Sequence, residues 1–80
     1  MPSKSAVVGS SVGLHARPAA LIAEAAGKLD ASVTINGMDA SSALMLMTLG
    51  AKCGDSVEVA SEDESAMDAI AAMVEQDLDA

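Results

Sequence analysis

Ala31-Ser-Val-Thr-Ile-Asn-Gly-Met-Asp-Ala40 is the stretch that decides the fold. Over 31–36 the side chains alternate, with Val33 and Ile35 on one face and Ser32 and Thr34 on the other. That is the pattern of a half-buried strand. Asn36-Gly37 follows, and both residue types tolerate the positive φ that a two-residue hairpin turn demands. A short partner strand, Met38 to Ala40, should return alongside. Upstream, Pro18 to Leu29 reads as a helix, with Leu21, Ile22, Ala25, Ala26 and Leu29 recurring at three- and four-residue steps. Gly27 weakens its last turn.

Working outward from this hairpin, Lys4 to Val8 reads as a first strand. Gly9-Ser10-Ser11-Val12-Gly13 is a turn-rich loop after it. Ser41-Ser42 is a candidate N-cap pair for a short helix over Ala43 to Leu49, ended by Gly50. Gly54-Asp55 turns the chain into Ser56 to Ala60, where Val57 and Val59 share a face. Ser61 and Glu64 match the capping-box spacing, and Glu62, Asp63 and Glu64 suit the positive end of a helix dipole. Met67, Ile70, Ala71, Val74 and Leu78 form the core stripe of that last helix. Asp77 and Asp79 oppose the dipole at its far end, so the last turn is expected to fray. The order is strand, helix, strand, strand, helix, strand, helix. The predicted fold is α+β: a two-layer open-faced sandwich, with a four-stranded antiparallel sheet covered on one face by three helices.

Residues 1–80 are expected to form one domain, without linker or internal repeat. A chain of this length buries only about 60–65% of its unfolded surface. It contains no aromatic residue, so Ala, Val, Leu, Ile and Met must build the core. One cysteine, Cys53, cannot form an internal disulfide, and the chain reads as intracellular and reduced. One His and one Cys make no credible metal site. No signal peptide or membrane-spanning stretch is visible. The net charge of −8 argues against nucleic acid or anionic membrane as a partner.

Against that acidic background, Gly13-Leu-His-Ala-Arg-Pro-Ala-Ala20 stands out. It holds the sole histidine, His15, two residues before Arg17, one of four basic residues. Pro18 suits the first turn of a helix, which places the helix start at Ala16 or Arg17. An anion at His15 would meet backbone N–H groups, a guanidinium and the positive end of a dipole. The simplest such anion is a phosphoryl group on the ring itself, since histidine can act as a covalent nucleophile. The alternative is a histidine that caps or packs at a helix start.

The octapeptide resembles the active-site signature of the HPr family, the histidine phosphocarriers of the phosphoenolpyruvate-dependent sugar phosphotransferase system. Ser42-Ala-Leu-Met-Leu-Met-Thr-Leu-Gly50 resembles the regulatory-serine helix of the same family, and the length also fits. The resemblance implies a cytoplasmic phosphocarrier for carbohydrate uptake that is not itself an enzyme and needs no cofactor. Enzyme I would place a phosphoryl group on His15, at Nδ1, and the IIA domains of sugar permeases would remove it. Arg17, with the backbone of Ala16 and Arg17, would offset the phosphoryl charge. Ala16, Ala20, Ala43, Leu44 and Met47 would form the docking face, with Leu46 and Leu49 in the core. Ser42 matches the regulatory serine, which makes an HPr kinase/phosphorylase a further candidate partner. The family usually has Lys or Arg before that serine, whereas Ser41 stands here. A monomer is expected. Two other readings remain: an HPr-like paralogue serving a nitrogen-regulatory or dihydroxyacetone-kinase relay, and a mainly regulatory interaction protein. His15 counts against the latter.

Overall fold

A computed structural model describes residues 2–11 and 13–76. Four strands and three helices follow in the predicted order: β1 (Ser3–Val7), α1 (Ala16–Gly27), β2 (Val33–Ile35), β3 (Met38–Asp39), α2 (Ala43–Thr48), β4 (Ser56–Ser61) and α3 (Glu64–Glu75). Strand order in the sheet is β1-β4-β2-β3, and every neighbouring pair is antiparallel. This is the open-faced α+β sandwich expected from the sequence.

The hairpin forms where its turn residues place it. Asn36 has φ 50° and Gly37 has φ 81°, the double positive φ of a two-residue turn. Asn36 also ties this turn to the central strand. Its N–H donates to Glu58 O at 2.8 Å, and its Oδ1 accepts from Glu58 N at 2.7 Å. Register then puts Ile35 opposite Val59, and Val33 opposite Ser61. With Ala6 opposite Val57, these residues form the buried face of the sheet. α3 packs across β1, β4 and β2, and α1 packs against both α2 and α3. Ile22, Ile35, Leu46, Ile70, Val59 and Val74 are the large fully buried side chains at the centre.

Several boundaries differ from the sequence reading. α1 begins at Ala16 and ends at Gly27, so Leu29 lies beyond it and is half-buried. Its innermost residues are Pro18, Ala19, Ile22 and Ala26. Leu21 and Ala25 are half-buried at the margin, because the face turns so that small Ala19 meets the core closely. Ser61 does not cap α3. It ends β4 and is buried, its hydroxyl donating to Ser32 O at 2.7 Å and accepting from Asp63 N at 3.2 Å. Asp63 is the N-cap, accepting from Ser65 N and Ala66 N. A buried hydroxyl on a strand needs cross-strand partners, which removes it from the helix end. Leu78, Asp77 and Asp79 lie outside the described residues.

The segment between β1 and α1 is strapped at two points. Val8 and Gly9 donate to Asp55 O and Val74 O, at 2.8 and 2.9 Å. Ser10 is fully buried, with its hydroxyl donating to Gln76 O at 3.3 Å. Further on, Leu14 N donates to Ala51 O at 3.0 Å. Backbones pass so closely that only glycine fits. A Cβ on Gly9 would lie 2.1 Å from Glu75 O, and one on Gly13 would lie 2.4 Å from Ala51 O.

Gly9→Ala is therefore expected to cost about 1–3 kcal/mol, since the carbonyl it meets belongs to a packed helix end. Gly37→Ala meets open space and strains only φ, which costs about 1–2 kcal/mol. Urea unfolding of the two variants separates these causes. Gly9→Ala should also shift the amide NMR signals of the last turn of α3, whereas Gly37→Ala should leave them in place.

Candidate functional site

His15 occupies the N-cap position of α1, with extended backbone at φ −90° and ψ −165°. Its carbonyl accepts from Ala19 N at 2.8 Å, as an N-cap carbonyl does. Its side chain makes no capping hydrogen bond and is exposed. Both neighbours that could anchor it are buried: Leu14 before it and Pro18 three residues on. The backbone is thus held on both sides while the imidazole stands in solvent. This answers the alternative left open by the sequence, since the ring neither caps nor packs. Pro18 is the third helical residue and carries no N–H. The donors at the helix mouth are therefore the amides of Ala16 and Arg17. Arg17 is exposed.

Beside this mouth lies α2. The Leu14–Ala51 hydrogen bond sets the C-terminal end of α2 next to the loop that carries His15, and α1 and α2 are in contact. With about 100° per residue, a six-residue helix cannot turn every apolar side chain inward. Leu46 is fully buried, and Ala43 and Leu49 flank it half-buried. Leu44, on the opposite side, is 70% exposed. Met45 and Met47, at either margin, are 38% and 36% exposed. Ala16 and Ala20 on α1 are exposed as well. Of the residues expected at the docking face, Ala16, Ala20, Leu44 and Met47 reach solvent, and Ala43 is half-buried. Met45, which the sequence did not single out, is exposed beside them. Setting Leu46 at the centre of the helical wheel would have found it.

Ser42 is the N-cap of α2, its hydroxyl accepting from Met45 N at 3.3 Å. It stands at the opposite end of α2 from Ala51, so about 9 Å of helix separates it from the His15 end. Ser41 plays no part in the cap. Its N–H and hydroxyl donate to Asp39 Oδ1 at 2.9 and 2.7 Å. The Ser41 hydroxyl first, and its amide second, hold the Asp39 carboxyl below its ordinary value of 3.8. The position where the family usually has a cation is thus used to shape the turn from β3 into α2. Cys53 is exposed in the turn that follows. Among the described residues no His, Cys, Asp or Glu cluster could hold a metal ion, and no helix is long and apolar enough to cross a membrane.

Comparison with known proteins gives one family. The profile of the PTS-HPr family, described as the HPr component phosphorylation site, matches residues 2–76. The phosphocarrier protein HPr of Mycoplasma pneumoniae is 36% identical over 78 residues, which cover 88% of this chain and 89% of that protein. Among solved structures, HPr from Bacillus anthracis is 32% identical, with a TM-score of 0.84 over 91% of this chain and 95% of that one. HPr from Thermoanaerobacter tengcongensis is 28% identical, with a TM-score of 0.86 over 100% and 98% of the two chains.

Burial divides α2 sharply, and two substitutions read that division. Leu46→Ala removes a fully buried side chain and is expected to cost about 2–5 kcal/mol. Leu44→Ala is expected to stay within about 0.5 kcal/mol of the parent. Thermal unfolding followed by circular dichroism measures both. The Asp39 turn has a pH signature. A carboxyl whose folded pKa is depressed stabilises the fold above its unfolded pKa, and that contribution disappears as pH falls through the folded value. Asp39→Asn keeps an acceptor oxygen and loses the charge. The stability gap between parent and Asp39→Asn should therefore be open at neutral pH and close below the usual carboxylate range. A gap unchanged by acid would assign the turn's stability to geometry alone.

Proposed function

The chain belongs to the HPr family of phosphocarriers, and from that premise we propose that His15 accepts a phosphoryl group from phosphorylated enzyme I and delivers it to IIA domains for carbohydrate uptake, in the cytoplasm. The observation that carries this reading is the side chain of His15: exposed, without a capping hydrogen bond, at the mouth of α1 and held between two buried neighbours. A carrier needs a nucleophile that a partner can reach in line, on a backbone that does not move.

In the forward step a ring nitrogen of His15 attacks phosphorus with its lone pair. The N–P bond on the donor's phosphohistidine breaks, and its electron pair returns to the donor ring. The new N–P bond on His15 holds the phosphoryl group, and the second transfer repeats the exchange toward the IIA domain. Arg17 and the amides of Ala16 and Arg17 offset the phosphoryl charge, aided by the dipole. That stabilisation has to stay modest, because a carrier that holds its cargo too tightly cannot pass it on. Ala16, Ala20, Leu44 and Met47, with Ala43 at their edge, supply an apolar docking face that several partners can use. Methionine suits this role because its flexible thioether adapts to different surfaces.

Ser42 is the position for regulatory phosphorylation by an HPr kinase/phosphorylase. A phosphate there adds about −1.5 to −2 charge on the docking face. It lies a helix length from His15, so its effect falls on association and not on the chemical step. The expected signature, read with Ser42→Asp, is a raised KM for phosphorylated enzyme I at an unchanged kcat. A fall in kcat alone would contradict it.

The reading as a whole is tested by incubating the protein with enzyme I and phosphoenolpyruvate. Mass spectrometry should find one acid-labile phosphoryl adduct. His15→Ala should carry none and melt like the parent. Arg17→Ala should fold and accept the group about ten- to a hundredfold more slowly, the loss of one charge-assisted contact of about 1.5–3 kcal/mol. An adduct retained in His15→Ala would overturn the assignment.

A further inference from the structure

The charges of this chain are unevenly placed. All twelve acidic residues lie outside two segments, 5–23 and 40–54. Those segments contain the His15 loop, the first two turns of α1 and all of α2. Within them the only formal charges are Arg17 and Lys52. The sequence around His15 and along α2 is therefore free of carboxylates up to Asp55, in a protein whose net charge is −8.

Tertiary structure brings Lys52 to the site, which its sequence position hides. Gly13 is seated against the chain at 51–52. A Cβ on Gly13 would lie 3.0 Å from the Lys52 Cα, and Leu14 N donates to Ala51 O. His15 is two positions beyond Gly13, a span of no more than about 7 Å. Lys52 is exposed. Its backbone N–H donates to Asp55 Oδ2 at 2.9 Å, while its ammonium makes no ion pair among the described residues. The other two lysines are neutralised locally: Lys4 pairs with Asp68 at 3.4 Å, and Lys28 pairs with Glu24 at 3.2 Å. One lysine of three thus keeps an unspent charge, and it is the one beside the transfer site.

We propose that Lys52 is a second cation of the phosphoryl-transfer face, meeting the anionic, phosphohistidine-bearing surface of the donor protein as it approaches His15. This rests on the carrier reading given above. In an acidic protein, long-range repulsion opposes the approach of a phosphorylated partner. A cation beside the His15 loop, Lys52, lowers that repulsion in the orientation that transfer requires. The ammonium acts on encounter and on the held phosphoryl charge, and takes no part in bond making. It is a docking residue rather than a catalytic one.

The test measures phosphorylation of the intact protein by phosphorylated enzyme I across a range of ionic strength. Lys52→Met should lower kcat/KM about two- to fivefold at low salt, the scale of a screened surface contact. The loss should fall in KM, and it should vanish as salt rises and screens the charge. Lys52→Arg should restore the parental value and its salt dependence. Lys28→Met, which removes an equal charge at the far end of α1, should behave as the parent. Parental kcat/KM and parental salt dependence in Lys52→Met would overturn the proposal. An equal loss in Lys28→Met would also overturn it, because the effect would then be one of net charge. If the parent itself gains no phosphoryl group at His15, the carrier reading has failed instead.

Discussion

The close passage of backbones at Gly9 and Gly13 is the constraint on which the functional end of this molecule depends. A chain leaving β1 has to reach the start of α1 without carrying His15 into the core. It does so by running against two other backbones, the last turn of α3 and the segment after α2. Each hydrogen bond in this strap contributes only about 1 kcal/mol net. Their common effect is larger, because ordering the loop once removes the entropy that would otherwise be lost at each encounter with a partner. The side chain is left outside this frame, exposed and without a capping bond.

A core without aromatic residues has consequences for the rest of the surface. Alanine, valine and isoleucine fill the space between sheet and helices, and Ala19 lets α1 lie close. Such small side chains leave little room for anything inserted between the layers. The apolar surplus of α2 is therefore turned outward, where Leu44, Met45 and Met47 form a surface beside the helix that carries His15. In this protein one six-residue helix both closes the core, through Leu46, and supplies the apolar face.

Charge is arranged to the same end. Acidic residues gather on the start of α3 and on strands and turns outside segments 5–23 and 40–54, where Asp63 caps α3 and Asp39 organises the entry to α2. These carboxylates meet backbone donors at helix starts and turns, so they support the fold locally while the protein as a whole stays strongly anionic. Asp55 does the same at the turn after α2, where its carboxylate accepts from Lys52 N.

Periodicity and turn chemistry in the sequence were enough for the order of elements, the hairpin and the antiparallel sheet. Asn36-Gly37 tolerates the backbone that a tight turn needs, and Val33 and Ile35 can share a buried face only in one register. The octapeptide around His15 marked a candidate nucleophile through its resemblance to the HPr signature, and the structure leaves that imidazole exposed at a helix start. Where the helical stripes ended was not legible, since a run of alanines offers no contrast between an inner and an outer face; Ala19 became core only through the approach of its neighbours. Ser61 fitted a capping box by spacing, yet cross-strand pairing with Ser32 took its hydroxyl. The setting of Lys52 beside Gly13 was hidden as well, because 38 residues of chain lie between them and nothing local records a contact made through the packing of α2. What the sequence by itself determined was local conformation and chemical identity, which depend on neighbours a few residues away. Tertiary structure alone decided which apolar side chains stayed outside and which charges met, because both depend on surfaces brought together from distant parts of the chain.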